Sequence, residues 1–325
     1  MDATAKRNPR RPDEGEIDVS IIICTRNRCE HLRQSLGQMA TLATPKQWRI
    51  ELLVVDNGSS DDTRAVVEAT TLPNMPVRYV YEPTTGKGHA YHAGLAVARG
   101  AAFLMTDDDT RVPHDWIEQM CRPILDGQAD AVQGGVRIAP HLERPWLKGV
   151  LRVWVAEVAD PQHRPEGLVG ANMAVSREAM RIAGPFDTTL GPGATGFFED
   201  TAFGWALEAA GQRIHYRPSA AVEHHFDASR LSLAAFMDSA RRMATSRALV
   251  LSRKAPDTPP PGVGALLRSL PNLAFRSCTQ ALRYMMGEQP DAGFIYHYYQ
   301  FCLWRALRAP RPTNVDTGTV QVLAA

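Results

Sequence analysis

The chain has 325 residues, of which 44% are hydrophobic and 22% charged, a composition that excludes wholesale disorder and fibrous repeats. Its 36 Lys and Arg balance 35 Asp and Glu, and the net charge of +1 weighs against a dedicated nucleic-acid binder. At roughly 150 residues per domain, the length suggests about two structural units.

The five cysteines form no C-x-x-C pair, so neither a disulfide scaffold nor a cysteine-zinc site is expected, and a reducing compartment fits. Residues 1–17 are polar and read as a disordered tail without the apolar stretch of a signal peptide. No run reaches about 18 apolar residues, so no transmembrane helix is expected. A cytoplasmic protein is expected, with a peripheral position at the inner membrane face left open.

The β-branched run Val19 to Cys24 reads as a buried parallel strand. Leu32, Leu36 and Met39 give residues 29–41 helical spacing. Ile50 to Val55 is a second buried strand, ending in the turn-rich Asp56-Asn57-Gly58-Ser59-Ser60. Asp61-Asp62-Thr63 offers short polar caps to the next helix. Val77 to Tyr81 reads as a strand, residues 88–99 as a helix stopped by Gly100, and Ala101 to Met105 as a fourth strand. Strand and helix thus alternate, which predicts an α/β fold: a mainly parallel, Rossmann-like sheet flanked by helices. Ligands of such sheets bind beyond the carboxyl ends of the strands. Thr25 to Arg28, Asp56 to Ser60 and Asp107 to Asp109 all fall at those ends.

The second half is less regular. Strands are predicted at Ala131 to Ile138, Leu168 to Ser176 and Arg213 to Arg217, and a short helix at Arg177 to Ala183. Gly184 to Gly196 reads as a mobile loop, and Glu199-Asp200 opens a helix that Gly211 ends. Residues 228–253 and 263–308 read as helical, with a linker at Pro256 to Pro261 and a loose tail from 311 onward.

Four motifs carry chemistry. Three adjacent carboxylates, Asp107-Asp108-Asp109, repel one another unless a divalent cation neutralises them; the alternative is an acidic surface loop. Glu199-Asp200 at a helix start is favoured by the helix dipole alone, and equally supplies a base for an acceptor hydroxyl. His224-His225 is a metal ligand or a structural pair. Gly86-Lys87-Gly88 is a phosphate contact or a plain turn; it matches neither the dinucleotide fingerprint nor a P-loop.

Taken in order, these motifs resemble glycosyltransferase family 2, the GT-A-fold group of inverting sugar transferases. The resemblance runs from Val19 to Arg28, through Leu53 to Thr63, Gly94 to Gly100, the aspartate triplet and Gly170 to Ala174, to Glu199-Asp200. It covers roughly residues 18–230, with a nucleotide-binding half to about 110 and an acceptor half from 111. Cys24 replaces the family's proline. The resemblance implies that Thr25, Arg28, Asp56, Lys87 and Asp107 hold a nucleotide-diphosphate sugar, with a UDP-sugar expected. It implies Mn²⁺ or Mg²⁺ at Asp108, Asp109 and His224, the register within the triplet being open. Asp200, with Glu199 beside it, would be the catalytic base. The acceptor would be a glycan, a lipid-linked or a small molecule. A nucleotidyltransferase, or a non-catalytic sugar-nucleotide-binding module on a related scaffold, is the alternative.

Residues 231–310 lie outside the resemblance and read as a helical C-terminal region. Phe294 to Arg305 is dense in aromatics, which suits packing on the catalytic domain, a homodimer contact or a membrane interface.

Overall fold

The computed structural model describes residues 17–162, 164–254, 271–281 and 290–309. The predicted tails and the Pro256 to Pro261 linker lie outside them, apart from Ile17. The strands are β1 (Val19–Thr25), β2 (Ile50–Asp56), β3 (Val77–Tyr81), β4 (Ala102–Asp107), β5 (Thr110–Arg111), β6 (Ala131–Ile138), β7 (Asn172–Ser176) and β8 (Ile214–His224). The helices are α1 (Cys29–Met39), α2 (Thr63–Ala69), α3 (Lys87–Val97), α4 (Trp116–Leu125), α5 (Val150–Trp154), α6 (Arg177–Ala183), α7 (Glu199–Ala209), α8 (Leu233–Lys254), α9 (residues 271–281) and α10 (Ala292–Arg308).

The strands form one eight-stranded sheet in the order β3-β2-β1-β4-β7-β6-β8-β5. The sheet is mixed but mainly parallel, six of its eight strands running the same way. β1, β2, β3 and β4 pair in parallel, but β7 runs antiparallel to both β4 and β6, and β5 antiparallel to β8. Alternation sorts the core. Ile21, Ile23, Leu52 and Val54 face α1, α2 and α4, whereas Ile22, Leu53 and Val55 face α3, α6 and α7. Both faces are covered, so these strands are buried along their length and apolar between Ser20 and Glu51 at one end and the polar rim at the other, and each buried Ile or Leu contributes roughly 1.5–3 kcal/mol.

Two elements depart from the sequence expectation because of proline. α4 was not foreseen: Trp116, Ile117, Met120, Cys121 and Ile124 make a buried stripe, but Pro123 sits inside the helix. β8 continues past Pro218 to His224. Its pairing with β6 shifts register between Gly134 and Val136, and a Cβ on Gly135 would meet the Pro218 carbonyl at 2.6 Å. Two glycines thus let the bulged strand cross, which is where a strand tolerates proline. The extra length delivers His224 to the same edge as the aspartates, opposite Thr110.

α8 and α10 pack together around a third apolar cluster with Leu142, Leu151, Trp154 and Phe226. The helical C-terminal region is therefore built onto the sheet domain. Among the described residues no helix is long and apolar enough to cross a membrane.

Candidate active site

The parallel register aligns Thr25 with Asp56, and Cys24 with Asp107, so the three polar clusters share one rim. The loops there are cross-braced. Asn27, in the left-handed region at φ 53°, accepts from the Ser60 N–H, and Ser59 Oγ accepts from the Asn27 N–H. Asn57 spans to the loop before α3, donating to the Glu82 and Thr84 carbonyls and accepting from the Gly86 N–H. Asp56 is buried, and accepts from the Tyr79 hydroxyl at 2.7 Å and the Ser59 N–H at 2.8 Å.

The aspartate triplet is resolved into three environments. Lys87 Nζ donates to Asp107 Oδ1 at 2.6 Å, and both side chains stay partly open to solvent. Asp108 is buried and fully engaged: Thr25 Oγ1 donates to Oδ2 at 2.6 Å, and Arg28 to Oδ1 at 2.9 Å. Burial raises its pKa to about 7 against the pull of Arg28. Asp109 accepts from Arg28 through Oδ2 at 2.6 Å, while its buried Oδ1 has no hydrogen-bond partner. Burial alone would raise the Asp109 carboxyl, but the His224 ring when it is protonated, together with Arg28, holds it well below the usual carboxylate range.

His224 is buried beside that orphaned oxygen, with Nε2 3.4 Å from Asp109 Oδ1. Its Nδ1 lies 2.9 Å from the Val155 carbonyl. A carbonyl only accepts, so Nδ1 carries the proton, and in the neutral ring Nε2 presents a lone pair to Asp109. Two acceptors facing each other in a buried gap are repulsive unless a cation or proton lies between them. A carboxylate oxygen and an imidazole nitrogen suit Mn²⁺, so the residues fit a metal. No set of three His, Cys, Asp or Glu converges on a metal position among the described residues. Ligand oxygens and water would have to complete the coordination. His225 points elsewhere, toward Glu223 and His141.

Glu199 and Asp200 begin α7 at the same rim. Asp200 Oδ2 accepts from the Gly170 N–H at 2.7 Å, and Oδ1 from the Thr201 N–H at 2.6 Å. A Cβ on Gly170 would stand 2.8 Å from the Tyr91 hydroxyl, 3.3 Å from Lys87 Nζ and 3.4 Å from Asp200 Oδ2. Lys87 therefore reaches Asp107 on one side and the Asp200 carboxylate region on the other. Burial raises both carboxyls of the pair, Glu199 to about 8. Two backbone N–H groups stabilise charge on Asp200, and Glu199, packed against Gly191, has only its own N–H. Asp200 is the one that ionises first.

The triplet, Lys87, Glu199-Asp200 and His224 thus come together, with Thr25 and Arg28 behind Asp108 and Asp56 along the rim. Sequence reasoning missed Tyr91, whose buried hydroxyl is unpartnered beside Lys87. It also missed the role of Asn172, a buried hub. Its side chain accepts from Trp116 Nε1 and donates to the Gly135 and Ala220 carbonyls, locking α4, β6 and β8 around β7. No local pattern signals either residue, and the partners of Asn172 lie 37 or more positions away.

The family model for glycosyl transferase family 2 matches residues 20–180. An uncharacterized glycosyltransferase of Mycobacterium bovis is 30% identical over 190 residues, 58% of this chain and 81% of the relative. The chain belongs to glycosyl transferase family 2. The succinoglycan biosynthesis protein ExoM of Rhizobium meliloti is 27% identical over 256 residues, covering 74% of this chain and 77% of its own. A solved mannosyltransferase from Pyrobaculum calidifontis, in complex with GDP-Man and Mn²⁺, superposes with a TM-score of 0.61. It covers 91% of this chain and 88% of its own at 19% identity, which shows the shared GT-A fold. This family member is a glycosyltransferase, which sets aside the nucleotidyltransferase alternative.

Proposed function

We propose that the enzyme moves a sugar from a nucleoside-diphosphate sugar to an acceptor hydroxyl in one inverting displacement, with Asp200 as general base. The observation that carries this reading is the convergence of Asp200, Lys87 and Asp107 at one rim, around Gly170. Asp200 holds its carboxylate on the Gly170 and Thr201 N–H groups, and its raised pKa suits a group that takes a proton near neutral pH. Glu199 stays neutral beside it and limits the charge there. Lys87 lies where a departing diphosphate gains from a fixed positive charge. Asp56, Thr25 and Asp107 line the nucleotide end.

A divalent cation, Mn²⁺ or Mg²⁺, would be held by Asp109 Oδ1 and His224 Nε2, and supplies charge neutralisation to the diphosphate. Asp108 then acts through Arg28 and Thr25, not as a direct ligand. The proposed donor is a UDP-sugar. The Pyrobaculum neighbour carries GDP-Man, so both nucleotides belong in the test. The proposed acceptor is a glycan hydroxyl, because the Rhizobium relative is a succinoglycan biosynthesis protein.

The experiment is a donor panel of UDP-glucose, UDP-galactose, UDP-N-acetylglucosamine and GDP-mannose with Mn²⁺, scored by nucleoside diphosphate release. Metal-dependent release from one donor, abolished by Asp200→Asn, is the expected result. Release that survives Asp200→Asn unchanged removes that residue as the base.

A further inference from the structure

α8 belongs to the C-terminal region, beyond the family motifs, yet one of its turns holds the two residues that lead into Glu199-Asp200. Phe197 donates its backbone N–H to Ser246 Oγ at 3.2 Å. That hydroxyl in turn donates to the Arg242 carbonyl, one helical turn earlier, at 3.0 Å. Ser246 is wholly buried, which shields the bond from competing water. Phe198 precedes α7 in the left-handed region at φ 78°, a conformation that a residue with a Cβ avoids unless its surroundings impose it. Its ring stacks on Trp205 of α7, with centroids 6.1 Å apart. The Arg247 guanidinium lies over both rings, 5.6 Å from the Phe198 centroid and 5.7 Å from that of Trp205. A half-buried guanidinium gains from the ring quadrupole in that place.

Arg247 also reaches the second support of Asp200. Its Nη1 is 3.4 Å from Glu166 Oε1, at the head of the segment that ends in Gly170. That segment lies flat on α7. A Cβ on Gly167 would stand 2.6 Å from the Thr201 carbonyl, and one on Gly204 would stand 2.4 Å from the Leu168 nitrogen. Gly170 then gives its N–H to Asp200 Oδ2 at 2.7 Å. One guanidinium therefore bears on Asp200 from two sides: through Phe198 on the helix that carries it, and through Glu166 on the segment that holds its oxygen.

We propose that Ser246 and Arg247 are positioning residues for Asp200, fixing the entry to α7 and, through Arg247, the segment whose Gly170 N–H holds the carboxylate. Neither acts on the reacting atoms itself. The catalytic consequence rests on the reading of Asp200 as general base; the mechanical claim does not. The groups that face Asp200 are Glu199 on its own helix, Lys87 and Tyr91 on α3 and Asp107 on β4. The Gly170 and Thr201 N–H groups favour its charged form, so a slackened Gly170 bond makes Asp200 harder to ionise.

The test is amide hydrogen exchange, together with kcat against pH, for the full chain and for Arg247→Ala, Arg247→Lys and Ser246→Ala. Two controls lie on the same helix. Lys254→Gln removes the cation 3.9 Å above Trp205 without touching Phe198, and Arg241→Gln removes a charge from an exposed position. Turnover is nucleoside diphosphate release from the four-donor panel with Mn²⁺. In Arg247→Ala the Phe197 and Gly170 amides should exchange about tenfold faster, as in a local opening, while amides of β2 keep their rate. In Ser246→Ala the Phe197 amide should quicken in the same way. kcat should fall by about 10–100-fold, the scale of a misplaced catalytic group, with the donor KM kept and the acid limb moved to higher pH. Arg247→Lys should fall between, and both controls should match the unaltered chain. The proposal is overturned if exchange at Phe197 and Gly170 is unchanged, if β2 quickens as much, or if a control behaves like Arg247→Ala. It is also overturned if kcat and the acid limb stay in place while Asp200→Asn is inactive. Quickened exchange at those amides in a protein whose Asp200→Asn variant still turns over, or that turns over no donor of the panel, keeps the positioning and sinks the base reading. Should Arg247→Ala or Ser246→Ala fail to fold, Arg247→Lys decides by the same criteria.

Discussion

Asp109 Oδ1 and His224 Nε2 face each other at 3.4 Å in a buried gap, and the oxygen has no hydrogen bond. The Val155 carbonyl holds Nδ1 and so fixes the ring with Nε2 toward the carboxylate. An inward-facing carboxylate and imidazole of this kind separate the roles within the aspartate triplet. His224→Ala and Asp109→Asn should each weaken Mn²⁺ binding by more than about tenfold, the scale at which even outer-shell changes register. Asp108→Asn should weaken it less, because both Asp108 oxygens are occupied by Thr25 and Arg28. Titration of Mn²⁺ into each variant, followed by its paramagnetic resonance signal, checks the ranking. Equal losses at 108 and 109 would contradict it.

Asp200→Asn should lower kcat by about 10²–10⁴-fold, the usual scale for a general base, with nucleotide affinity kept. Glu199→Gln should be milder, since its burial already favours the neutral form at pH 7. The sign of the pH effect follows from Asp200. Its pKa is raised, and it must be ionised to accept a proton. Turnover should therefore rise with pH through an acid limb lying above the ordinary carboxylate range. A limb at the ordinary range, measured with saturating donor, would show that burial does not govern this carboxyl.

The sheet's parallel half was legible because buried β-branched runs end abruptly in polar residues at Thr25, Asp56 and Asp107. No other short pattern produces that contrast repeatedly. The antiparallel placement of β7 was not legible, because Asn172 to Ser176 reads as a strand without stating its direction. Prolines 123 and 218 hid a helix and half a strand, since the sequence does not show the bulge or packing that accommodates them. In the site, residue types were legible but their pairings were not. Asp200 is held by a backbone N–H 30 positions away, and His224 is oriented by a carbonyl 69 positions away, and both partners are backbone groups that residue type does not announce.

Gly170 is where Tyr91, Lys87 and Asp200 come closest, and the hydroxyl of Tyr91 is the nearest atom to an added Cβ at 2.8 Å. Gly170→Ala should reduce kcat, through displacement of Lys87 or Asp200. Tyr91→Phe removes a buried hydroxyl that has no partner, so its stability should be unchanged or higher by up to about 1 kcal/mol. The double variant should recover part of the activity lost in Gly170→Ala, because the closest clash is gone. Strict additivity of the two substitutions in kcat would show that the hydroxyl is not the obstacle.

Glu51 on β2 is wholly buried and takes hydrogen bonds from Ser20, Arg78 and Arg99. Burial would raise its pKa, but the bonds from Arg99, Ser20 and Arg78 bring it from 4.5 to about 2. A carboxyl depressed in the folded state binds fewer protons there than when unfolded, so its stabilisation is present above its unfolded pKa. That stabilisation drains away as pH falls from about 4.5 to about 2. By the usual conversion of about 1.4 kcal/mol per pH unit the shift is worth at most roughly 3.5 kcal/mol at neutral pH, less the screening of the solvent-exposed Arg78 and Arg99. Glu51→Gln should lower stability at pH 7 by that order and flatten the acid side of the stability curve. Urea unfolding at pH 7, 4 and 3 checks both. A variant that loses as much stability at pH 3 as at pH 7 would show that packing rather than charge sets the contribution of this residue.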